Sequence, residues 1–173
     1  VYVISGDLIR DSYTQMIEFI KSIDLNTIVH NTNLSEDSRL CCISIARNLS
    51  GINDFFIEEI LNIIPIEALM ELCQDRIEIY LPFHEILSNS FSHESNLYVK
   101  KADEVVGGST LMEIIRGDVK SGDEQFVCEG LYMLEGAIYD TNFVLKVGDD
   151  NEFIKYIMML FSGFNATPPK ILC

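Results

Sequence analysis

The sequence predicts an all-α protein, an α-solenoid of about four stacked helical repeats with the first and last incomplete. Three observations predict it. Met16-Ile17-Glu18-Phe19-Ile20, Leu69-Met70-Glu71-Leu72-Cys73, Leu111-Met112-Glu113-Ile114-Ile115 and Phe153-Ile154-Lys155-Tyr156-Ile157 all read apolar-apolar-charged-apolar-apolar. The last three begin 42 residues apart and the first lies 53 before the second. A helical pattern returning every 40 to 47 residues or so marks units that bury one another's apolar faces by stacking. Strand periodicity is confined to Val1-Tyr2-Val3-Ile4, which reads equally well as a frayed helix.

The helices follow in order. Tyr13, Met16, Ile17 and Ile20 form one stripe over residues 12 to 22, and the Asn- and Ser-bearing stretch 23 to 35 is a looser connection, which accounts for the longer first spacing. Ser35 before Glu36-Asp37-Ser38 is a helix start, with acids against the positive end of the dipole. From Glu36 to Ser50 apolar residues nearly encircle the helix, as befits burial between neighbours, and Gly51 stops it. A helix over 54 to 63 uses Phe56, Ile57, Ile60 and Leu61. After Pro65, Ile66, Leu69, Met70 and Cys73 keep helical spacing. A helix near 77 to 88 contains Pro82, whose missing N–H should kink it or split it. Residues 89 to 96 are a polar connection, 97 to 105 a helix, Gly107-Gly108 a break, and 111 to 115 the recurring helix. Gly117-Asp118 and Ser121-Gly122-Asp123 read as the next break. A helix over 124 to 134 ends at Gly136, a short apolar segment holds Phe143, Val144 and Val147, and the last helix spans 151 to 161, stopped by Gly163 and Pro168-Pro169.

A length of 173 residues accommodates one compact domain or about four such units. Apolar residues at 48% and charged ones at 23% are those of a globular chain, which argues against disorder. Beginning at Val1 and ending at Ile171-Leu172-Cys173, the chain reads as a piece of a longer protein, and an array of repeats needs polar caps at its ends. The net charge of −15 disfavours nucleic acid and anionic membrane surfaces as partners and suits a basic peptide, while also keeping an array soluble. No run reaches the ~18 to 20 apolar residues of a membrane span. Cys41, Cys42, Cys73, Cys128 and Cys173 form no CxxC, and most lie in apolar helical segments, so buried free thiols in a reducing compartment are expected. That places the chain inside the cell, in cytoplasm or nucleus. The N-x-S/T matches at Asn33, Asn48 and Asn165 are discounted as glycosylation sites, since nothing resembles a signal peptide.

Ile45-Ala46-Arg47-Asn48-Leu49-Ser50-Gly51 resembles the third helix of the armadillo repeat family, A-L-x-N-L followed by a small residue and Gly. Gly130-Leu131-Tyr132-Met133-Leu134-Glu135-Gly136 matches with the Asn lost, and Phe83-His84-Glu85-Ile86-Leu87 matches in apolar outline. The four recurring sites are similar to the family's second helix. The resemblance covers residues 5 to 162 and implies units of approximately 1–35, 36–75, 76–118 and 119–173 in a single domain; a two-helix HEAT-type array is the neighbouring alternative. It also implies a concave groove lined by third helices, holding a partner peptide. The facing positions would be Ser44, Arg47, Asn48 and Gly51, then Pro82, Glu85 and Ile86, then Glu129, Tyr132 and Met133, with Tyr132 and Met133 as anchors and Glu85 and Glu129 as acids. The Trp and Asn ladder of the family's nuclear-import receptors is lacking: the chain has no Trp and keeps one such Asn, Asn48.

No catalytic, cofactor or metal constellation is legible. His30 and His93 fall in polar connections, His84 is a satisfied or exposed helical residue, and Asp149-Asp150-Asn151-Glu152 lacks the spacing of a calcium loop. No HExxH, P-loop or GxSxG occurs. The expected function is therefore a non-enzymatic scaffold that binds a protein or peptide, possibly basic, on the third-helix face or at an end of the stack. The rivals are a homodimer formed through exposed apolar ends and a compact helical bundle, Bcl-2-like or the regulatory part of an enzyme.

Overall fold

Capping side chains divide the chain into short helices. In a computed structural model that describes residues 6–22, 27, 33–52, 54–91, 97–105 and 110–164, the described residues form ten α-helices, one 3₁₀ turn and no strand. The protein is all-α. The helices are α1 (Gly6–Ser22), α2 (Glu36–Ser50), α3 (Asp54–Ile63), α4 (Ile66–Leu72), α5 (Leu81–Phe91), α6 (Leu97–Asp103), α7 (Leu111–Val119), α8 (Glu124–Ala137), α9 (Thr141–Asp149) and α10 (Asn151–Phe164), with the 3₁₀ turn Glu78–Tyr80 leading into α5. Ser35 caps α2 by accepting from the Ser38 N–H. Thr110 and Glu113 form a reciprocal capping box on α7, and Asp123 and Asp140 cap α8 and α9, each accepting two backbone N–H groups.

Packing joins the helices in a set order. α2 lies against α3 and α5, α5 against α4, α6 and α8, and α8 against α5 and α7, so α2, α5 and α8 run side by side. α10 packs on α9 and reaches α7 through an Arg116–Asp150 ion pair and through Lys120, 5.3 Å from the Tyr156 ring centroid. α1 leans on α3 through Tyr13 against Phe56 and Lys21 against Glu59. One core runs through these contacts, from Ile17, Ile43 and Ile60 by way of Leu69, Phe83 and Ile86 to Ile115, Met133, Phe143 and Phe153.

Several expectations change. Gly117-Asp118 is no break: α7 runs through both to Val119. A Cβ at Gly117 would collide with the Arg76 guanidinium, and Asp118 is the buried acceptor of that same group, so tertiary contacts hold the pair helical. Gly136 is no stop either. It lies inside α8, where a Cβ would stand 2.5 Å from the Phe91 carbonyl oxygen, and its role is close approach of α8 to α5. Gly51 does end α2, but with φ −82° and no left-handed turn. Pro82 splits its segment as expected: a 3₁₀ turn precedes it and it occupies the first turn of α5, where a missing N–H breaks no helical bond. The polar stretch 89–91 continues α5, because Ser90 returns its hydroxyl to the Leu87 carbonyl and Phe91 is buried. α2 is buried along Ile43, Ala46, Leu49 and Ser50 only, and Cys41 is exposed; of the described cysteines, all free, just Cys73 is buried. The expectations for 1–4, 92–96, 106–109, His30, His93, Asn165, Pro168-Pro169 and Cys173 lie outside the described residues. No described helix is long and apolar enough to cross a membrane.

Candidate partner-binding face

Along α2, α5 and α8 the polar positions of neighbouring helices meet. Arg47 on α2 reaches Glu85 on α5, Nε to Oε2 at 3.0 Å, and also donates to Oδ1 of Asn48 at 2.9 Å. One turn on, Asn89 donates to the Ser50 hydroxyl at 2.9 Å, and Ser50 in turn donates to the Arg47 carbonyl. Between α5 and α8, Ser88 donates to Glu129 at 2.5 Å. The Arg47–Glu85, Asn89–Ser50 and Ser88–Glu129 contacts cross from helix to helix. They tie the row together and leave a polar seam on its face.

The seam is short of positive charge. Burial pushes the Glu85 carboxyl above its ordinary pKa, Arg47 pulls it back, and the neighbouring Glu129 pushes it up again. Glu129 is raised first by burial, against the lowering effect of the Ser88 hydrogen bond, His84 and Arg47, with Asp118 adding to the rise. Of these two half-buried carboxylates, Glu85 is paired with Arg47, while Glu129 accepts from Ser88 and feels Arg47 only weakly. Such a pair is relieved by a further cation placed between them.

Beneath the seam lies a charged knot that residue patterns did not announce. Asp118 on α7, fully buried, accepts from Arg76 Nε at 2.9 Å and faces His84 Nδ1 at 2.6 Å. His84 is likewise buried, and its Nε2 faces the Asp75 carbonyl at 3.2 Å. Carboxylate and carbonyl only accept, so each contact is a hydrogen bond when that ring nitrogen carries the proton. Arg76 also donates to the Gln74 and Ile114 carbonyls, each at 3.1 Å, and Phe126 of α8 meets the imidazole edge-on. The knot joins the α4–α5 connection, α5, α7 and α8. The only hint in the sequence is the arrival of His, Arg and Asp in otherwise apolar units.

Of the expected facing residues, the structure brings Arg47, Asn48, Glu85 and Glu129 onto the seam, with Ser44 partly buried on α2 and Tyr132 exposed on α8. Met133 is a correction: it is fully buried in the core and cannot anchor a ligand. Pro82 and Ile86 are corrected in the same way, since both are buried, whereas Gly51 is exposed. In each case the helix is rotated so that the residue beside the facing one points inward. Ser50, Ser88 and Asn89 join the seam although residue patterning missed them; their signal was small polar residues recurring within apolar helices. Set against known proteins, the chain matches no family model, no curated protein and no solved structure.

Proposed function

We propose that the helices stack as armadillo-type units, approximately 1–35, 36–75, 76–118 and 119–173, and that the α2–α5–α8 face binds a basic segment of a partner protein. The observation that carries the reading is the nearness of Glu85 and Glu129, both raised first by burial, with only Glu85 in an ion pair, to Arg47, and Glu129 held by Ser88. A lysine or arginine from a partner would lower the energy of both carboxylates at once. The stacking part is supported by the spacing of the cross-links. Across the unit boundaries, Ser50–Asn89, Ser88–Glu129 and Asp103–Lys146 join residues 39, 41 and 43 apart. In this reading the last three units lean on one another through contacts of similar sequence separation, which is what stacked repeats require. Exposed Tyr132 supplies a flat surface on which the stem of a partner Lys or Arg can lie. The role is that of an adaptor or scaffold without catalysis, working in a reducing compartment, cytoplasm or nucleus, where the exposed Cys41 stays a thiol.

A fluorescein-labelled peptide alternating Lys and Ala, titrated by anisotropy, tests the charge argument. Saturable binding is expected, weakening as salt rises. Glu129→Gln should reduce affinity about three- to tenfold, and the double variant Glu85→Gln/Glu129→Gln more than either single one. Equal binding by the double variant and the parent protein would remove the face from consideration.

A further inference from the structure

We infer that binding of a basic segment on the α2–α5–α8 face is coupled to the release of one proton from Glu129, with the Ser88 hydroxyl as the rotor that keeps this carboxyl hydrogen-bonded with and without the proton; the inference rests on the binding reading above. Ser88 Oγ stands 2.5 Å from Glu129 Oε2 on α8 and 3.0 Å from the Glu85 carbonyl oxygen on α5. A hydroxyl has one proton to donate, and a carbonyl or an ionised carboxylate can only accept. With Glu129 ionised, Ser88 therefore donates to one of the two and leaves the other. With Glu129 protonated, the carboxyl O–H donates to Ser88 Oγ and the Ser88 proton turns to the Glu85 carbonyl. Both contacts are then hydrogen bonds at once. Ser88 is buried, so water is a poor substitute in either arrangement.

The charged groups near Glu129 come from three helices: Glu85 and His84 from α5, Asp118 from α7 and Arg47 from α2. Arg47 is committed to Glu85 at 3.0 Å, and among the described residues Glu129 has no ion pair of its own. Its ionised form thus sits beside a second carboxylate with a neutral hydroxyl as partner. Burial first, and Asp118 after it, hold the Glu129 carboxyl above its ordinary range, against Ser88, His84 and Arg47. An ammonium or guanidinium of the partner changes that balance. Placed against Glu129 it favours the carboxylate: the carboxyl O–H bond breaks, the proton passes to solvent, and the Ser88 hydroxyl rotates from the carbonyl to the carboxylate. One cation enters and one proton leaves, so charge is conserved. The free chain keeps this proton to a higher pH than the complex does. Lowering the pH therefore favours the free chain, and affinity falls with it.

The test uses the full chain and an unlabelled peptide alternating Lys and Ala, whose ammonium groups stay charged throughout. In calorimetric titration, affinity is expected to fall as pH is lowered from neutrality toward the ordinary carboxylate range, by at most about tenfold per pH unit for one proton. The heat should also change with the ionisation enthalpy of the buffer, the mark of a released proton. With ¹³C-labelled glutamate, the side-chain carboxyl signal of Glu129, assigned by its loss in Glu129→Gln, should titrate, and saturating peptide should move its midpoint to lower pH. Ser88→Ala should raise the midpoint of the free chain, since the ionised form loses a charge-assisted hydrogen bond; an unchanged midpoint would overturn the part given to the hydroxyl. Should that variant fold poorly, the titrations of the parent protein decide. Peptide binding with a buffer-independent heat and an unmoved Glu129 midpoint would overturn the coupling and leave the binding face standing. No peptide binding at any pH would remove the face itself, and this inference with it.

Discussion

Removing Asp118 should destabilise the protein more than any other single polar change in the described residues. The carboxylate is fully buried and is the acceptor for Arg76 Nε at 2.9 Å and the partner of His84 Nδ1 at 2.6 Å. In Asp118→Ala the two partners fare differently. Arg76 keeps the Gln74 and Ile114 carbonyls, and its side chain is 28% exposed, so water can reach it. His84 is at 0% exposure: it keeps the Asp75 carbonyl opposite Nε2, but water cannot replace Asp118 at its Nδ1. Breaking a buried charged pair by deleting one member costs about 3–5 kcal/mol, because the other is left uncompensated. At this chain length each kcal/mol moves Tm by ~2–4 °C, which gives a fall of roughly 6–20 °C. Asp118→Asn is the informative control. Its amide oxygen can still accept from Arg76, and its N–H₂ can donate to Nδ1 of the imidazole tautomer protonated on Nε2, so a loss of about 1–2 kcal/mol is expected. Urea unfolding followed by far-ultraviolet circular dichroism, with the slope checked for constancy, measures both. A loss below about 1 kcal/mol for the alanine variant at unchanged slope would show that the knot does not hold α7 against α5, and the reasoning would fail.

Two further outcomes follow from the same packing. Gly136→Ala should cost about 1–3 kcal/mol in urea unfolding, because the new methyl meets the Phe91 backbone, which cannot rotate away as a side chain could; a neutral or stabilising result would contradict the close approach of α8 and α5. Glu85 and Glu129 have folded-state pKa values above their ordinary ones, so between those two limits the folded chain holds more protons than the unfolded chain. Their contribution to stability therefore rises as pH falls from neutrality into that window and declines as pH climbs through the raised values. Relative to Glu85→Gln/Glu129→Gln, the parent protein should gain stability as pH is lowered from neutrality toward the ordinary carboxylate range; a stability difference that stays flat over that descent would refute the buried-carboxylate account.

The local sequence determined that the chain is helical, and where most helices start. Ser35, Thr110, Asp123 and Asp140 cap because a short acceptor side chain can satisfy the N–H groups two or three residues on, whatever lies beyond. The apolar period likewise placed Leu69, Leu111 and Phe153 in helices at buried positions. Tertiary contacts decided what depends on residues about 40 positions away. Gly117 and Gly136 read as stops because glycine is a poor helix former, yet each sits where another segment presses on its own helix. Met133 read as a surface anchor and Asp118 as part of a turn, and both are buried, since helical spacing fixes which residues share a face but not how far the helix is rotated toward its neighbour. The seam of Arg47, Glu85 and Glu129 and the knot around Asp118 belong to that second kind of information. Their partners meet only when α2, α5, α7 and α8 have packed, and no local pattern encodes the distance between them.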